Sequence, residues 1–170
     1  MARVILLDGV ETLDDVLAPG LDVLFCGYNP APFAVARRHY YARRSNRFWE
    51  DLHEAGFTPH PLRGPDEDLT LPRYGLGLTD LVKRPSPNVD ALTEADYRLG
   101  AARLDGLLAE YRPRLLCFNG LGLLPRYQRF GCPPEGLAML AVPSTSPRNQ
   151  RLREARLAAF VALRERVRGG

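Results

Sequence analysis

The chain has 170 residues, 45% hydrophobic and 25% charged. These are ordinary values for a globular protein whose core needs no disulfide support. No apolar run approaches about 18 residues, so no membrane span is expected, and the opening MARVILLDGV, with its early acid and no small-residue cleavage site, does not read as a signal peptide. Net charge is +3, compatible with a nucleic-acid partner, and three scattered cysteines without a CxxC pair argue against a zinc or iron–sulfur centre.

The elements follow in chain order. ETLDDVLAPG at 11–20 predicts a short helix, with Thr12 as N-cap, Asp15 as the answering acid, and Pro19-Gly20 as a stop. LDVLFCG at 21–27 predicts a buried strand. Residues 28–45 read as an arginine-rich loop. NRFWEDLHEAGF at 46–57 predicts an amphipathic helix burying Phe48, Trp49, Leu52 and Ala55 and ending at Gly56, with Asn46 as its cap. Residues 58–75 read as loop and short turns. LGLTDLV at 76–82 predicts a second strand. Residues 92–111 form the strongest helix, capped by Thr93 and Asp96, with Leu99, Ala102, Leu104, Leu107 and Leu108 as its apolar face. RLLCFNG at 114–120 and LAMLAVP at 137–143 predict two more strands, and a terminal helix begins at Pro147 or later.

Alternating helices and apolar strands predict a three-layer α/β fold, a mainly parallel sheet with helices on both faces, in one domain spanning 1–170. Sites in such sheets lie at the carboxyl ends of strands. Four polar breaks fall there: GYNP at 27–30, Thr79-Asp80, FNG at 118–120 and PSTS at 143–146.

Each break has a plain reading and a chemical one. Gly27-Tyr28-Asn29-Pro30 holds ordinary turn residues, yet Asn29 could hold a water or a carbonyl, and Gly27 admits close approach of a ligand. Pro143-Ser144-Thr145-Ser146-Pro147-Arg148 could be spare capping residues, yet hydroxyls and an arginine at a helix start suit phosphate. Cys26 and Cys117 read as buried thiols in a reducing, cytoplasmic setting. Lys83 is the only lysine, so chemistry that needs an amine has it or the N-terminus and nothing else.

GYNPA and PSTSPR together resemble the two signature motifs of the mismatch-specific uracil-DNA glycosylases, the bacterial MUG and thymine-DNA glycosylase family. LAPGLDVLFCGYNP, NRFW with AGF, YGLGLTDLVKRPS and FNG extend the resemblance over roughly 14–165. It implies the uracil-DNA glycosylase fold and a monofunctional DNA-repair enzyme. Such an enzyme flips uracil, or another mismatched or damaged pyrimidine, out of duplex DNA and hydrolyses the N-glycosidic bond, leaving an abasic site. It further implies no metal or cofactor, double-stranded DNA bearing uracil or G:U mismatches as the partner, no membrane, and a monomer.

By the same resemblance Asn29 positions the attacking water, Tyr28 lends its backbone N–H to the base, and Gly27 and Tyr41 complete the base pocket. Tyr41, twelve residues after Asn29, falls where the family carries an aromatic that stacks on uracil; its neighbour Tyr40 is the alternative. Ser144 offers a hydroxyl to phosphate, and the run Thr145, Ser146, Pro147, Arg148 corresponds to the wedge that fills the hole, with Arg148 as plug. The first motif has Ala31 where glycine is frequent, followed by Pro32, and Val142 precedes the second where some members carry asparagine or methionine. Asp80 is a further departure, because the family's G-x-T-x-L-V position is not usually an acid. Asp80 could accept a proton or steady a cationic sugar, or simply bind backbone N–H groups at a strand end. The alternative function is a catalytically inactive nucleic-acid-binding domain of the same fold.

Overall fold

The structure, a computed structural model, describes residues 3–170; the first two residues of the opening segment lie outside it. Strands β1 (Val4–Leu7) and β2 (Val10–Leu13) form an antiparallel hairpin. Its turn is Asp8-Gly9, with φ of 50° and 80°. Two positive φ angles match the turn twist that hairpins favour, and Asp-Gly is the sequence that adopts it readily. This hairpin replaces the helix expected over 11–20. Thr12 is buried and donates to the Lys83 carbonyl, and Asp15 pairs with Lys83 and Arg103 rather than closing a capping box. Long-range bonds to buried partners outweigh the few tenths of a kcal/mol by which local helix propensities differ.

The central sheet holds β3 (Val23–Gly27), β4 (Leu76–Asp80), β5 (Leu115–Asn119) and β6 (Ala138–Val142) in the order β4-β3-β5-β6, every pair parallel. The outer edge of β4 is met by Val16, which exchanges two 2.9 Å backbone bonds with Leu78. That contact covers part of an otherwise unpaired edge.

Alternation along the strands divides the core into two faces. Val23, Phe25, Leu78 and Cys117 face α2 (Phe48–Glu54) and α5 (Arg153–Gly169), where Phe48, Trp49, Leu52, Phe160 and Leu163 are buried. Leu24, Cys26, Leu116 and Phe118 face α3 (Glu94–Tyr111) and α4 (Leu123–Phe130). The capping box at Thr93 and Asp96 forms as expected. The buried stripe of α3, however, is Tyr97, Gly100, Ala101, Leu104 and Leu108, while Leu99 is 72% exposed and Ala102 is also exposed.

The expected loop over 28–45 contains a short helix, α1 (Pro32–Arg37). Pro32 sits at its start, where a missing N–H costs nothing. Residues 58–75 end in a 3-10 helix, Glu67–Tyr74, and α4 lies in 121–136, where the sequence pattern predicts no element. The terminal helix is preceded by a 3-10 stretch, Pro147–Leu152. Among the described residues, no helix is long and apolar enough to cross a membrane.

Candidate active site

Parallel register brings the strand ends together. Gly27 is paired with Asp80, Cys26 with Phe118, and Asn119 with Val142. The polar breaks that follow therefore share one rim and line a single cavity of about 710 Å³, which also takes in α1 and the start of the 147–152 stretch. Of the expected site residues, Gly27, Tyr28, Asn29, Tyr41, Asp80, Ser144, Thr145, Ser146 and Arg148 all line it.

Pairing continues past β3 and β4. Leu81 and Val82 N–H groups donate to the carbonyls of Gly27 and Tyr28, at 2.8 and 2.9 Å, and Ser86 N–H donates to that of Pro30. The GYNP segment is thus a strand extension held against 81–86, not a free turn. Asn29 is locked by the same strip: its amide nitrogen donates to the Arg84 carbonyl at 2.9 Å and to Ser86 Oγ at 2.7 Å. A carbonyl can only accept, which fixes which end of the amide is nitrogen. The Asn29 oxygen makes no hydrogen bond among the described residues and remains available on the cavity side.

Asp80 is 3% exposed and its Oδ2 has no hydrogen-bond partner. Burial pushes its carboxyl up to about 6, with Lys83 and Arg103 pulling it down and Asp15 adding to the rise. Asp80 is thus a desolvated carboxyl at the cavity wall, with Lys83 Nζ 3.9 Å from Oδ2 and, among the described residues, no backbone N–H bonded to its side chain.

Gly27 lines the cavity between Asp80 and Tyr41. A Cβ there would lie 2.7 Å from Asp80 Oδ1 and 3.0 Å from Tyr41 Oη. The missing side chain is the space in which those two groups converge. Tyr41, in the left-handed region at φ 50°, packs its ring on Phe48 with centroids 4.2 Å apart. Its hydroxyl is buried without a partner, and burial, reinforced by the Asp80 charge, raises its pKa so that it stays protonated as a donor. Tyr40 is committed to the interior: its hydroxyl donates to the Asp14 carbonyl at 2.7 Å. Of the two tyrosines, Tyr41 is the one with an unused group.

The Tyr28 ring lies over the turn after β5. A Cβ on Gly120, whose φ is 136°, would stand 2.7 Å from it, and one on Gly122 would stand 2.9 Å from its hydroxyl. Asn119, the middle residue of the FNG break, is central to this wall, a role its sequence position does not signal. Its amide donates to Thr145 Oγ1 at 2.9 Å and its oxygen accepts from Thr145 N–H at 3.0 Å. Thr145 is fully buried, and its two bonds to Asn119 anchor the 143–148 loop to β5. Ser144 Oγ accepts from Ser146 N–H, and Ser146 Oγ from Arg148 N–H. Arg148 itself is exposed at the rim. Asn46 lies one residue before the cap position of α2, which Arg47 occupies, and its oxygen accepts from Phe48 N–H at 3.0 Å, closing a turn ahead of the helix instead of capping it.

Exposed Arg37, Arg38, Arg43 and Arg44 stand on the α1 side of the mouth. Arg37 and Arg43 place their guanidiniums 5.1 and 4.6 Å from the Phe33 ring. Behind the floor sits a network the sequence did not disclose. Lys83 Nζ donates to Asp15 Oδ1 at 3.0 Å and to Tyr40 Oη at 3.3 Å, and Arg103 pairs with Asp15 Oδ2 at 2.7 Å. Its only signal was the mixed-charge spacing of Asp80 and Lys83 after a strand. The Cys26 and Cys117 thiols are buried, and burial raises both well above the ordinary thiol range.

A sequence profile of the uracil DNA glycosylase superfamily matches residues 15–168. A solution NMR structure of a candidate uracil DNA glycosylase from Methanosarcina acetivorans superposes with a TM-score of 0.65 at 21% identity, covering 92% of this chain and 97% of that one. The second likeness concerns the fold, a parallel sheet flanked by helices. The first covers nearly the whole chain, which belongs to the uracil DNA glycosylase superfamily.

Proposed function

We propose that this superfamily member is a monofunctional uracil-DNA glycosylase of the mismatch-specific kind, acting on uracil flipped from duplex DNA and leaving an abasic site. The observation that carries the reading is the pairing, on one cavity wall, of a locked asparagine with a free oxygen and a buried carboxylate whose Oδ2 accepts no hydrogen bond. Breaking the bond from C1′ to the base nitrogen sends the electron pair to the base and leaves positive character on the sugar. The Asn29 oxygen orients a water toward C1′. Asp80, ionised, opposes the sugar's charge and takes the proton as the water attacks. The Tyr41 hydroxyl and the Tyr28 backbone N–H serve as donors to the departing base.

Extrusion costs a few kcal/mol and least for a mispaired base, which favours U:G over U:A. Exposed arginines at 37, 38, 43 and 44, together with Ser144 and Ser146, supply phosphate contacts, and Arg148 fills the vacated stack.

One assay tests the reading: release of base from U:G, U:A and T:G duplexes and from single-stranded uracil DNA. Abasic product from U:G is expected. Binding of all four without abasic product would replace the enzyme with a binding domain.

A further inference from the structure

We infer that Lys83 is a positioning residue for the reaction: it is the counter-ion that keeps Asp80 ionised in the buried wall, acting by its charge and leaving the carboxylate oxygens free for water and sugar. The inference rests on the glycosylase reading of Asp80, and it assigns work to the one lysine in a chain that otherwise uses arginine throughout.

The groups facing Asp80 come from five segments. They are Asp15 before β3, Cys26 on β3, Tyr40 and Tyr41 after α1, Lys83 after β4, and Arg103 on α3. The tyrosines and the cysteine are held neutral by burial, so the charges are two cations and two anions when Asp80 is ionised. Arg103 is already committed: it pairs with Asp15, donates to Thr79 Oγ1 at 2.9 Å, and bonds the backbone carbonyl of Asp80 rather than its carboxylate. Lys83 is the cation that faces the carboxylate, its Nζ standing 3.9 Å from Oδ2, with both side chains about 95% buried. That separation is too long for a hydrogen bond but short for two charges in a medium that screens poorly.

The distance matters chemically. An arginine fork would occupy the carboxylate lone pairs. An ammonium held back by Asp15 and Tyr40 contributes field without occupying them, and Oδ2 is indeed unpartnered. With Asp80 protonated, the buried group would carry a net positive charge, which burial disfavours.

The test reads ionisation directly. Carboxyl 13C NMR follows Asp80 through a pH titration, with its resonance identified by loss in Asp80→Asn. Lys83→Met should raise the midpoint by at least about one unit, a tenfold change in the ionisation constant. Asp15→Asn, which removes a repelling anion and frees Lys83, should lower it, and Lys83→Arg, which keeps the charge, should not raise it. Mere loosening would admit water and lower the midpoint in both neutral variants, so an unmoved or lowered midpoint in Lys83→Met overturns the inference. Should Lys83→Met fail to fold, the polar neutral variant Lys83→Gln is read in its place: an unmoved or lowered midpoint overturns the inference equally. In single-turnover base release, the acidic limb should shift with these midpoints, and Lys83→Met should add nothing in an Asp80→Asn background. The titration needs no DNA. Base release with an unmoved midpoint would sink the role of Lys83 alone, whereas a shifted midpoint without base release from any duplex would sink the glycosylase reading alone.

Discussion

At the residue scale, Asp80 sets activity against stability. Its carboxyl has been pushed from 3.8 to about 6, chiefly by burial. A folded-state pKa above the unfolded value means the folded state binds the proton more tightly. Stability is therefore fullest below the unfolded value near 3.8 and is lost as pH rises through about 6. Two units at 1.36 kcal/mol each make the loss about 3 kcal/mol. Asp80→Asn should recover most of that at pH 7.5 and none below pH of about 4, seen in denaturant melts at the two pH values. The same variant should slow base release by about 10²–10⁴, the usual contribution of a placed acid or base, and abolish the acidic limb of the pH profile. On the proposed mechanism, in which ionised Asp80 takes the proton, wild-type activity should fall as pH drops through about 6. A site residue that weakens the fold is the expected pattern where a charge is held out of water for use.

At the element scale, α3 shows why one glycine is required and another is not. Glycine inside a helix is about 1 kcal/mol worse than alanine, which alone would make either replacement stabilising. A Cβ on Gly106 would meet nothing within 4 Å, and Gly106→Ala should stabilise by about 1 kcal/mol. A Cβ on Gly100 would lie 2.0 Å from the Leu81 carbonyl. Backbone must then move, at about 1–3 kcal/mol, so Gly100→Ala should destabilise. It should also weaken base release, because the displaced strip carries Lys83 and the Arg84 and Ser86 contacts that lock Asn29. Paired thermal melts and single-turnover rates separate the two variants. The hairpin teaches a related lesson: Asp8-Gly9 between apolar residues was a legible turn signal, but the capping pattern in ETLDD obscured it. A capping box is a local preference, and Thr12 and Asp15 found stronger partners 71 and 68 residues away.

At the scale of the whole molecule, α2 and α5 are joined by a fully buried ion pair, Asp51 with Arg156, each side chain 1% exposed. It links the helix after the first motif to the one after the second, and so holds the two lips of the cavity in place. Asp51→Ala strands a buried guanidinium and should cost about 3–5 kcal/mol in chemical denaturation, while Asp51→Leu with Arg156→Met should recover much of the loss.

The sequence by itself determined the four strands of the parallel sheet, the α/β order and the rim that collects their polar ends, and it placed Asn29, Tyr41, Asp80 and Arg148 on that rim. These are written in local period, in short motifs and in the rule that parallel strands end together. Tertiary structure alone decided what each group faces. It anchored Thr145 to Asn119, put Gly27 between Asp80 and Tyr41, and set Lys83 behind the floor with Asp15 and Arg103. Burial and pairing depend on which distant segments meet, and a charge's chemistry depends on how much water and what countercharge remain around it.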